Sequence, residues 1–455
     1  MIFEPALRLW STLVLLARIC SHPGSGLFKV NYFDLSLLKM RLINTQSLKL
    51  NEFFDANIPS YAILSHTWGD DEATYQDWMI SQDVRSRNGY TKIVNACQQA
   101  RRDRHEWIWI DTACIDKTNS AELSEAINSM FKWYMNATVC YVFLADVPDV
   151  TTRECRHPDS RFRASLWFNR GWTLQELIAP KMMDFYSQNW TGIGSRQELV
   201  DLITIITSIP QSCLNNSKIV PYYSIAARMS WASRRQTSRA EDRAYCLLGI
   251  FGVHMPLIYG EGGESAFMRL QEEIMKESTD HSLFAWRRSV PEYKESQLPE
   301  TPLSWGILAT HPEQFAHAAL VQKLKPFRNP YVMTSRGLRV TLPVLQHHGS
   351  TIAILECGFG LDGRRLGILL SSIEANFEDG KLFARSPHWA VYQVSPDHEA
   401  RAELQTLYLS KRDVYRPMEL SKGWGERGYM AFSHQLNSAF FPQLSVSQPP
   451  SPLLM

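Results

Sequence analysis

The segment SLWFNRGWTLQEL, residues 165 to 177, sets one glutamate among bulky aromatic residues. Its second half predicts a short helix, on which Leu174, Leu177 and Ile178 share an apolar face at roughly 100° per residue. Trp172 and Glu176, spaced i and i+4, lie together on the opposite face. A tryptophan turned away from the core beside an acid suits the wall of a cleft, because the indole offers a stacking surface and the carboxylate offers charge or hydrogen bonds. The structural alternative is an aromatic cluster with a solvated Glu176.

The elements that must position such a site are short runs rich in branched or aromatic residues, each followed by polar or turn residues, which predict strands. They are Tyr61 to Leu64, Trp107 to Ile110, Val139 to Leu144 and Met183 to Tyr186. Amphipathic stretches alternate with these runs from residue 60 to about 206, so the sequence predicts an α/β fold with a parallel sheet. One helix is predicted to begin after Asn119 as its N-cap, with Glu122 three residues on.

Polar residues follow the first two predicted strands. Ser65, His66 and Trp68 come after the first, and Asp111 comes after the second. In open parallel sheets, the loops at the carboxyl ends of the strands converge on a crevice that binds ligands. The sequence therefore predicts that these side chains meet Glu176 at one edge of the sheet.

The composition is that of a globular protein. The chain has 455 residues, 45% hydrophobic and 20% charged, which suffices for two or three packed domains. Lys plus Arg (47) nearly cancel Asp plus Glu (46), so no global field favours nucleic acid as a partner. The eight cysteines have no spacing typical of a disulfide framework or zinc site, which indicates no metal site and buried thiols in a reducing compartment.

The pattern along the chain predicts four parts. Residues 1–39 are expected to be an extension or a mis-assigned start, because a more natural opening occurs at Met40 (MRLINTQSLKL). The apolar run Leu9 to Ala17 is too short to span a bilayer, and a non-cleaved anchor is the alternative. Residues 40–287 are expected to form one domain, with an α/β core at 60–206 and a helical part at 210–287. Period-two apolar runs predict a β-rich C-terminal domain at 290–441, and a loose tail is expected at 442–455.

The motifs that the sequence lacks count against ordinary hydrolases, metalloproteases and ATPases. The chain contains no GxSxG elbow, no HExxH and no Walker loop. GFGLDG at 358–363 matches GxGxxG, but a strand-like run follows it, so it predicts a hairpin turn and not a dinucleotide site. The basic run Arg234, Arg235, Arg239 and Arg243 also contains acids, including Asp242, and predicts a solvated, salt-bridged face.

Four motifs in order resemble the fungal heterokaryon-incompatibility (HET) domain over roughly residues 40–287. They are ILSHTWGDDE (63–72), WIWIDTACIDK (107–117), RGWTLQELIAP (170–180) and EDRAYCLLGIFGVHMPLIYGEG (241–262). The resemblance implies a cytoplasmic effector of programmed cell death in non-self recognition, a form of innate immunity. It implies partners among other incompatibility or death-signalling proteins, self-association on activation, and no membrane or nucleic-acid partner.

The HET domain in turn resembles the TIR domain, a flavodoxin-like parallel sheet of which some members cleave NAD. That resemblance implies that Glu176 is catalytic, although Thr173 stands where a Cys is common. It also implies that Ser65, Trp68, Asp111 and Trp172 contact the nucleotide, with NAD as substrate and no bound cofactor. The alternative is a non-enzymatic signalling or scaffold module that acts through its tryptophan-rich surface.

Overall fold

A mostly parallel sheet and then a mostly antiparallel sheet follow one another along the chain in the computed structural model. The described residues are 39–80, 84–288, 304–324, 330–347, 350–360, 363–377, 380–386 and 391–415. Two compact units divide the chain, residues 1–39 with 54–58 and residues 40–53 with 59–455. In the first unit, a 3-10 turn covers Asp55–Asn57. The expected N-terminal extension, apart from its last residue, and the expected tail at 442–455 lie outside the described residues.

The first sheet has seven strands within the described part of the chain. They are β1 Lys39–Asn44, β2 Leu50–Phe54, β3 Ala62–His66, β4 Trp107–Trp109, β5 Val139–Phe143, β6 Met183–Tyr186 and β7 Gly192–Ser195. Their order across the sheet is β2-β1-β4-β3-β5-β6-β7. Strands β3, β4, β5 and β6 run parallel to one another. Strand β1 runs antiparallel to β4, and β7 runs antiparallel to β6. The four parallel strands therefore have the order second, first, third, fourth, which is that of flavodoxin-like sheets.

The predicted α/β fold is confirmed, and each predicted strand is present with bounds that shift by no more than two residues. Strand β3 is buried at all five positions, as expected for a central parallel strand covered on both faces. The sheet is mixed, which the sequence pattern did not predict. Strand β7 is antiparallel because it follows β6 after the short turn closed by Ser187 N–H and the Thr191 carbonyl at 2.9 Å, which leaves no room for a crossover.

Helices surround the first sheet and continue beyond it. They are α1 Tyr75–Ile80, α2 Asn88–Arg102, α3 Asp111–Cys114, α4 Ser120–Asn136, α5 Thr173–Ile178, α6 Val200–Thr207, α7 Gln211–Asn215, α8 Ile225–Ser230, α9 Asp242–Tyr245, α10 Leu248–Phe251 and α11 Gly263–Glu277. Helix α4 begins as predicted, because the side chain of Asn119 accepts hydrogen bonds from the backbone N–H groups of Ala121 and Glu122. The Glu122 carboxylate does not return to the cap; it accepts from Asp116 N–H at 2.8 Å and pairs with Arg41.

The second sheet confirms the predicted β-rich C-terminal region. Its strands are β8 Val321–Lys323, β9 Val332–Thr334, β10 Gly337–His347, β11 Ser350–Phe359, β12 Arg365–Phe377, β13 Gly380–Arg385, β14 Tyr392–Gln393 and β15 Glu403–Leu409, with helix α12 Pro396–Ala400 before the last. Strands β10, β11, β12, β13 and β15 pair in a closed circuit, because β15 returns to pair with β10. The GFGLDG segment lies between the antiparallel strands β11 and β12, with Gly360 and Gly363 at φ values of 61° and 66°, so the hairpin interpretation is confirmed.

Candidate active site

The candidate site lies at the carboxyl ends of β3 and β4, near the centre of the first sheet. Strand β3 pairs with β4 on one side and with β5 on the other, so the chain changes direction across the sheet at this strand. Such a switch point leaves a crevice between the diverging loops. Ser65 lies in the last part of β3, Trp68 in the loop after it, and Asp111 at the first position of α3. The fold thus places three of the five predicted site residues at one edge.

Glu176 reaches the same edge from helix α5. Its Oε2 atom accepts a hydrogen bond from the hydroxyl group of Ser65, and the Ser65 oxygen in turn accepts from the indole N–H of Trp167 at 2.8 Å. Ser65 is fully buried and Glu176 is 7% exposed. Every residue of α5 is buried, because α4, α7 and β3 pack around it. Glu176 is therefore neither solvated nor on an outward face, which corrects the expectation drawn from its helical position.

The buried carboxyl group of Glu176 is difficult to ionise. Burial raises its pKa to about 8, against the hydrogen bond from Ser65, and the negative charge of Asp111 raises it further. Tyr134 also contacts the carboxyl group, and its own hydroxyl donates to the Leu64 carbonyl at 2.9 Å. At neutral pH the acid is mostly protonated and can donate a hydrogen bond; above about pH 8 it becomes a buried anion.

Asp111 connects three side chains at the outer part of the site. Its Oδ1 lies 3.0 Å from His66 Nε2, and its Oδ2 accepts from Trp68 Nε1 at 2.9 Å and from Lys117 Nζ at 3.2 Å. Burial opposes ionisation of Asp111, but the charge of Lys117 and the hydrogen bonds from His66 and Lys117 hold its pKa well below its usual range. Asp111 is therefore a carboxylate, whereas Glu176 is mostly neutral.

His66 connects Asp111 to a second ion pair. The ammonium of Lys92 lies 2.8 Å from His66 Nδ1 and also pairs with Glu72. His66 Nδ1 faces the Lys92 ammonium, which only donates hydrogen bonds, and the Thr67 carbonyl at 3.1 Å, which only accepts them, while Nε2 faces Asp111. The imidazole of His66 thus orients Asp111 from the side that faces the protein interior. The His66 side chain is 1% exposed.

Lys117 and Trp68 form the solvent-facing part of the site. The Lys117 ammonium lies 3.3 Å from the centroid of the Trp68 ring, which is a cation–π contact. Trp68 remains 42% exposed. The sequence analysis named Trp68 as a nucleotide contact but not the lysine that covers it, although Lys117 ends the motif WIWIDTACIDK.

Trp172 precedes α5 and binds a different acid. Its indole N–H donates to Asp242 Oδ2 at 3.3 Å, and the Tyr259 hydroxyl donates to Asp242 Oδ1 at 3.0 Å. Asp242 is 8% exposed, and burial raises its pKa. Sequence reasoning assigned Asp242 to a solvated charged face, because the nearby arginines suggested simple pairing.

Arg235 also contradicts the expected solvated face, because it is only 8% exposed. Its Nη1 donates to the Arg170 carbonyl at 2.8 Å and to Thr173 Oγ1 at 2.9 Å, which fixes the start of α5. Burial lowers its pKa to about 10. Arg235 therefore positions the helix that carries Glu176.

Across the described residues, no group of three or more His, Cys, Asp or Glu side chains is arranged to hold a metal ion. In that same part of the chain, no helix has both the length and the apolar character needed to cross a membrane.

The fold and site define a doubly wound α/β protein with a buried acid and an ionised acid at the switch point of its sheet. Residues 61–155 match the family described as heterokaryon incompatibility protein (HET), and residues 265–351 match a domain of unknown function (DUF8212). The chain is 49% identical over 224 residues to the vegetative incompatibility protein HET-E-1 of Podospora anserina. That match covers 48% of this chain and 16% of the relative. No solved structure matches the chain. The chain contains a HET domain.

Proposed function

We propose that this protein is an effector of heterokaryon or vegetative incompatibility that causes cell death. The HET match and the similarity to a vegetative incompatibility protein support this role. In this proposal the HET domain extends from residue 40 to residue 287, beyond the matched segment, because the helix that bears Glu176 lies outside that segment. Its partners are other incompatibility proteins, it self-associates on activation, and it acts in the cytoplasm.

We further propose that the α/β region is related to TIR domains and, like some of them, hydrolyses the bond between nicotinamide and ribose in NAD. One observation supports this most: Ser65 and Glu176, from distant segments, meet near Asp111 at the edge of the sheet where open α/β sheets generally bind ligands. A strongly shifted pKa in such a position is typical of acids that work in catalysis.

The chemistry requires one carboxylate beside the ribose. The C1′–N bond breaks, its electron pair moves to the cationic pyridinium, and nicotinamide leaves as a neutral molecule, so no acid has to protonate it. Positive charge develops on the ribose, and a carboxylate at position 176 stabilises it. Water then adds to C1′ and releases a proton, for which the same carboxylate is the acceptor.

In the resting conformation, Glu176 is mostly not ionised and is not accessible to a substrate. Glu176 is mostly protonated and 7% exposed, and the Ser65 hydroxyl occupies its Oε2 atom. Activation in this proposal opens the loops around α5 and lets the ribose of NAD reach the carboxyl group, whose ionised fraction then stabilises the developing charge. Self-association would then control access to the acid.

The test is release of nicotinamide from NAD by concentrated, assembled protein. Glu176→Gln keeps the shape and the acceptor for Ser65 and should reduce release by about 10² to 10³, as for other charge-stabilising groups. Glu277→Gln removes an exposed acid at the end of α11 and should have no effect. Equal release by the wild type and Glu176→Gln would refute the proposal.

The burial of Glu176 favours a second candidate function, a signalling module without catalysis. An acid that is enclosed on all sides can simply stabilise the fold, while the exposed Trp68 contacts a partner protein. Toxicity of overexpressed protein that is unchanged by Glu176→Gln, together with no nicotinamide release, would support the module.

A further inference from the structure

The contacts among Trp68, Asp111 and Lys117 have the form of a bound cation in a receptor. The Lys117 ammonium lies 3.3 Å from the centre of the Trp68 ring and 3.2 Å from Asp111 Oδ2. The Trp68 indole N–H donates to the same carboxylate oxygen at 2.9 Å, which fixes the plane of the ring. One aromatic face and one carboxylate thus share a single positive charge.

The receptor is rigid on its inner side and accessible on its outer side. Asp111 is held by His66 from behind, and the hydrogen bond from His66 lowers the pKa of Asp111 independently of Lys117. Trp68 is 42% exposed, the Lys117 side chain is 30% exposed, and the Asp111 side chain is 22% exposed. The Lys117 ammonium is carried on a flexible four-carbon chain, so it can move away from Trp68 and Asp111 without any change in the backbone.

We infer that Trp68 and Asp111 form a binding site for a flat organic cation, and that Lys117 occupies this site as an internal substitute that the ligand displaces. An aromatic face beside a carboxylate is the chemistry that recognises quaternary nitrogen. A flat heteroaromatic cation also stacks on the indole over a larger area than an ammonium does.

If the proposed NAD hydrolysis is correct, the ligand is the pyridinium ring of the oxidised dinucleotide. The site then distinguishes the oxidised dinucleotide from the reduced one, whose ring is neutral. This identification of the substrate rests on the proposed function, whereas recognition of a flat cation does not.

The experiment is a calorimetric titration of the full chain with 1-methylnicotinamide, a pyridinium cation, and with neutral nicotinamide as its counterpart. Lys117→Met removes the internal cation and keeps a similar side-chain length. This variant should bind the cation about 5- to 30-fold more tightly than the wild type, which is the range of a cation–π contact. Neutral nicotinamide should gain no comparable affinity.

Matched variants separate this effect from a general change of charge. Lys132→Met removes an exposed lysine of α4 and should bind like the wild type. Trp68→Leu, added to Lys117→Met, should abolish the gain. If Lys117→Met does not fold, Lys117→Gln replaces it, and Trp68→Leu in the wild-type background should weaken binding of the oxidised dinucleotide but not of the reduced one.

A folded Lys117→Met protein that binds the cation no more tightly than the wild type would overturn the inference, as would an equal gain for neutral nicotinamide. Cation binding with the expected gain but without nicotinamide release would support the site and refute the hydrolase. Nicotinamide release by the wild type, with no gain in cation affinity in Lys117→Met, would support the hydrolase and refute the site.

Discussion

The hydroxyl group of Ser65 donates a hydrogen bond to the carboxyl group of Glu176, although 111 residues separate them in the chain. The contact joins the central strand of the sheet to a short buried helix. Since Ser65 also accepts from Trp167, both hydrogen-bonding functions of its hydroxyl group are used inside the protein. The protonation state of Glu176 is therefore set by packing as much as by charge.

Glu176 should make the protein less stable as the pH rises from about 5 to about 8. Its pKa is about 8 in the folded chain and about 4.3 in an unfolded one, so the folded state binds more protons across that range. The unfolding free energy then falls by about 1.4 kcal/mol per pH unit from this group alone. Denaturant titrations of the wild type and Glu176→Gln between pH 5 and 9 measure the difference. Parallel pH profiles for the two proteins would contradict the assignment.

Nicotinamide release should rise with pH up to about 8 and then level off, because only ionised Glu176 stabilises the developing charge. Below that pH, each unit lowers the ionised fraction about tenfold. Asp111→Asn should move the midpoint to lower pH, since the charge of Asp111 raises the pKa of Glu176. The measurement is kcat against pH at saturating NAD. A midpoint that does not respond to Asp111→Asn would show that another group controls the rate.

Ser65→Ala should destabilise the protein by about 1 to 3 kcal/mol, because it leaves the buried Trp167 indole N–H without its acceptor and Glu176 without its donor. Ser120→Ala, at the exposed first position of α4, should cost less than about 0.5 kcal/mol. Urea unfolding midpoints compare the two variants. Equal midpoints would mean that the Ser65 hydroxyl group contributes nothing to stability.

Gly249→Ala should destabilise the packing of α10 against α4 by about 1 to 3 kcal/mol. A Cβ atom at position 249 would lie 2.1 Å from Cβ of Phe131, so one of the two helices has to move. Gly192→Ala is the control, because nothing lies within 4 Å of its added Cβ. Thermal unfolding of both variants tests the contact; a Gly249→Ala protein as stable as the control would show that the helices adjust freely.

The parallel strands were predictable because their signal is local. Val139 to Leu144, for example, is a run of branched and aromatic residues bounded by polar ones, and the structure makes Val139–Phe143 a strand. The cap at Asn119 was also predictable, since it depends on residues that are neighbours in sequence. The convergence of Ser65, Trp68 and Asp111 followed from the general rule for strand ends.

The burial of Glu176 was not predictable from its own helix. A single turn shows which residues share a face, but α4, α7 and β3 come from distant segments and cover both faces of α5. The bond from Trp172 to Asp242 and the placement of Lys117 over Trp68 likewise join residues far apart in the chain. Charged residues in such positions resemble ordinary surface charges when only the sequence is known.

The Ser65 and Glu176 pair has a consequence for how the protein is made. Ser65 also contacts the indole of Trp167, and Glu176 also contacts Tyr134. Four separate stretches of chain must therefore be folded before this arrangement exists. A nascent polypeptide in which residue 176 has not yet been made, or a fragment broken before that residue, lacks the arrangement entirely. For a product proposed to kill the cell that synthesises it, this dependence delays any hazard until residue 176 has been translated.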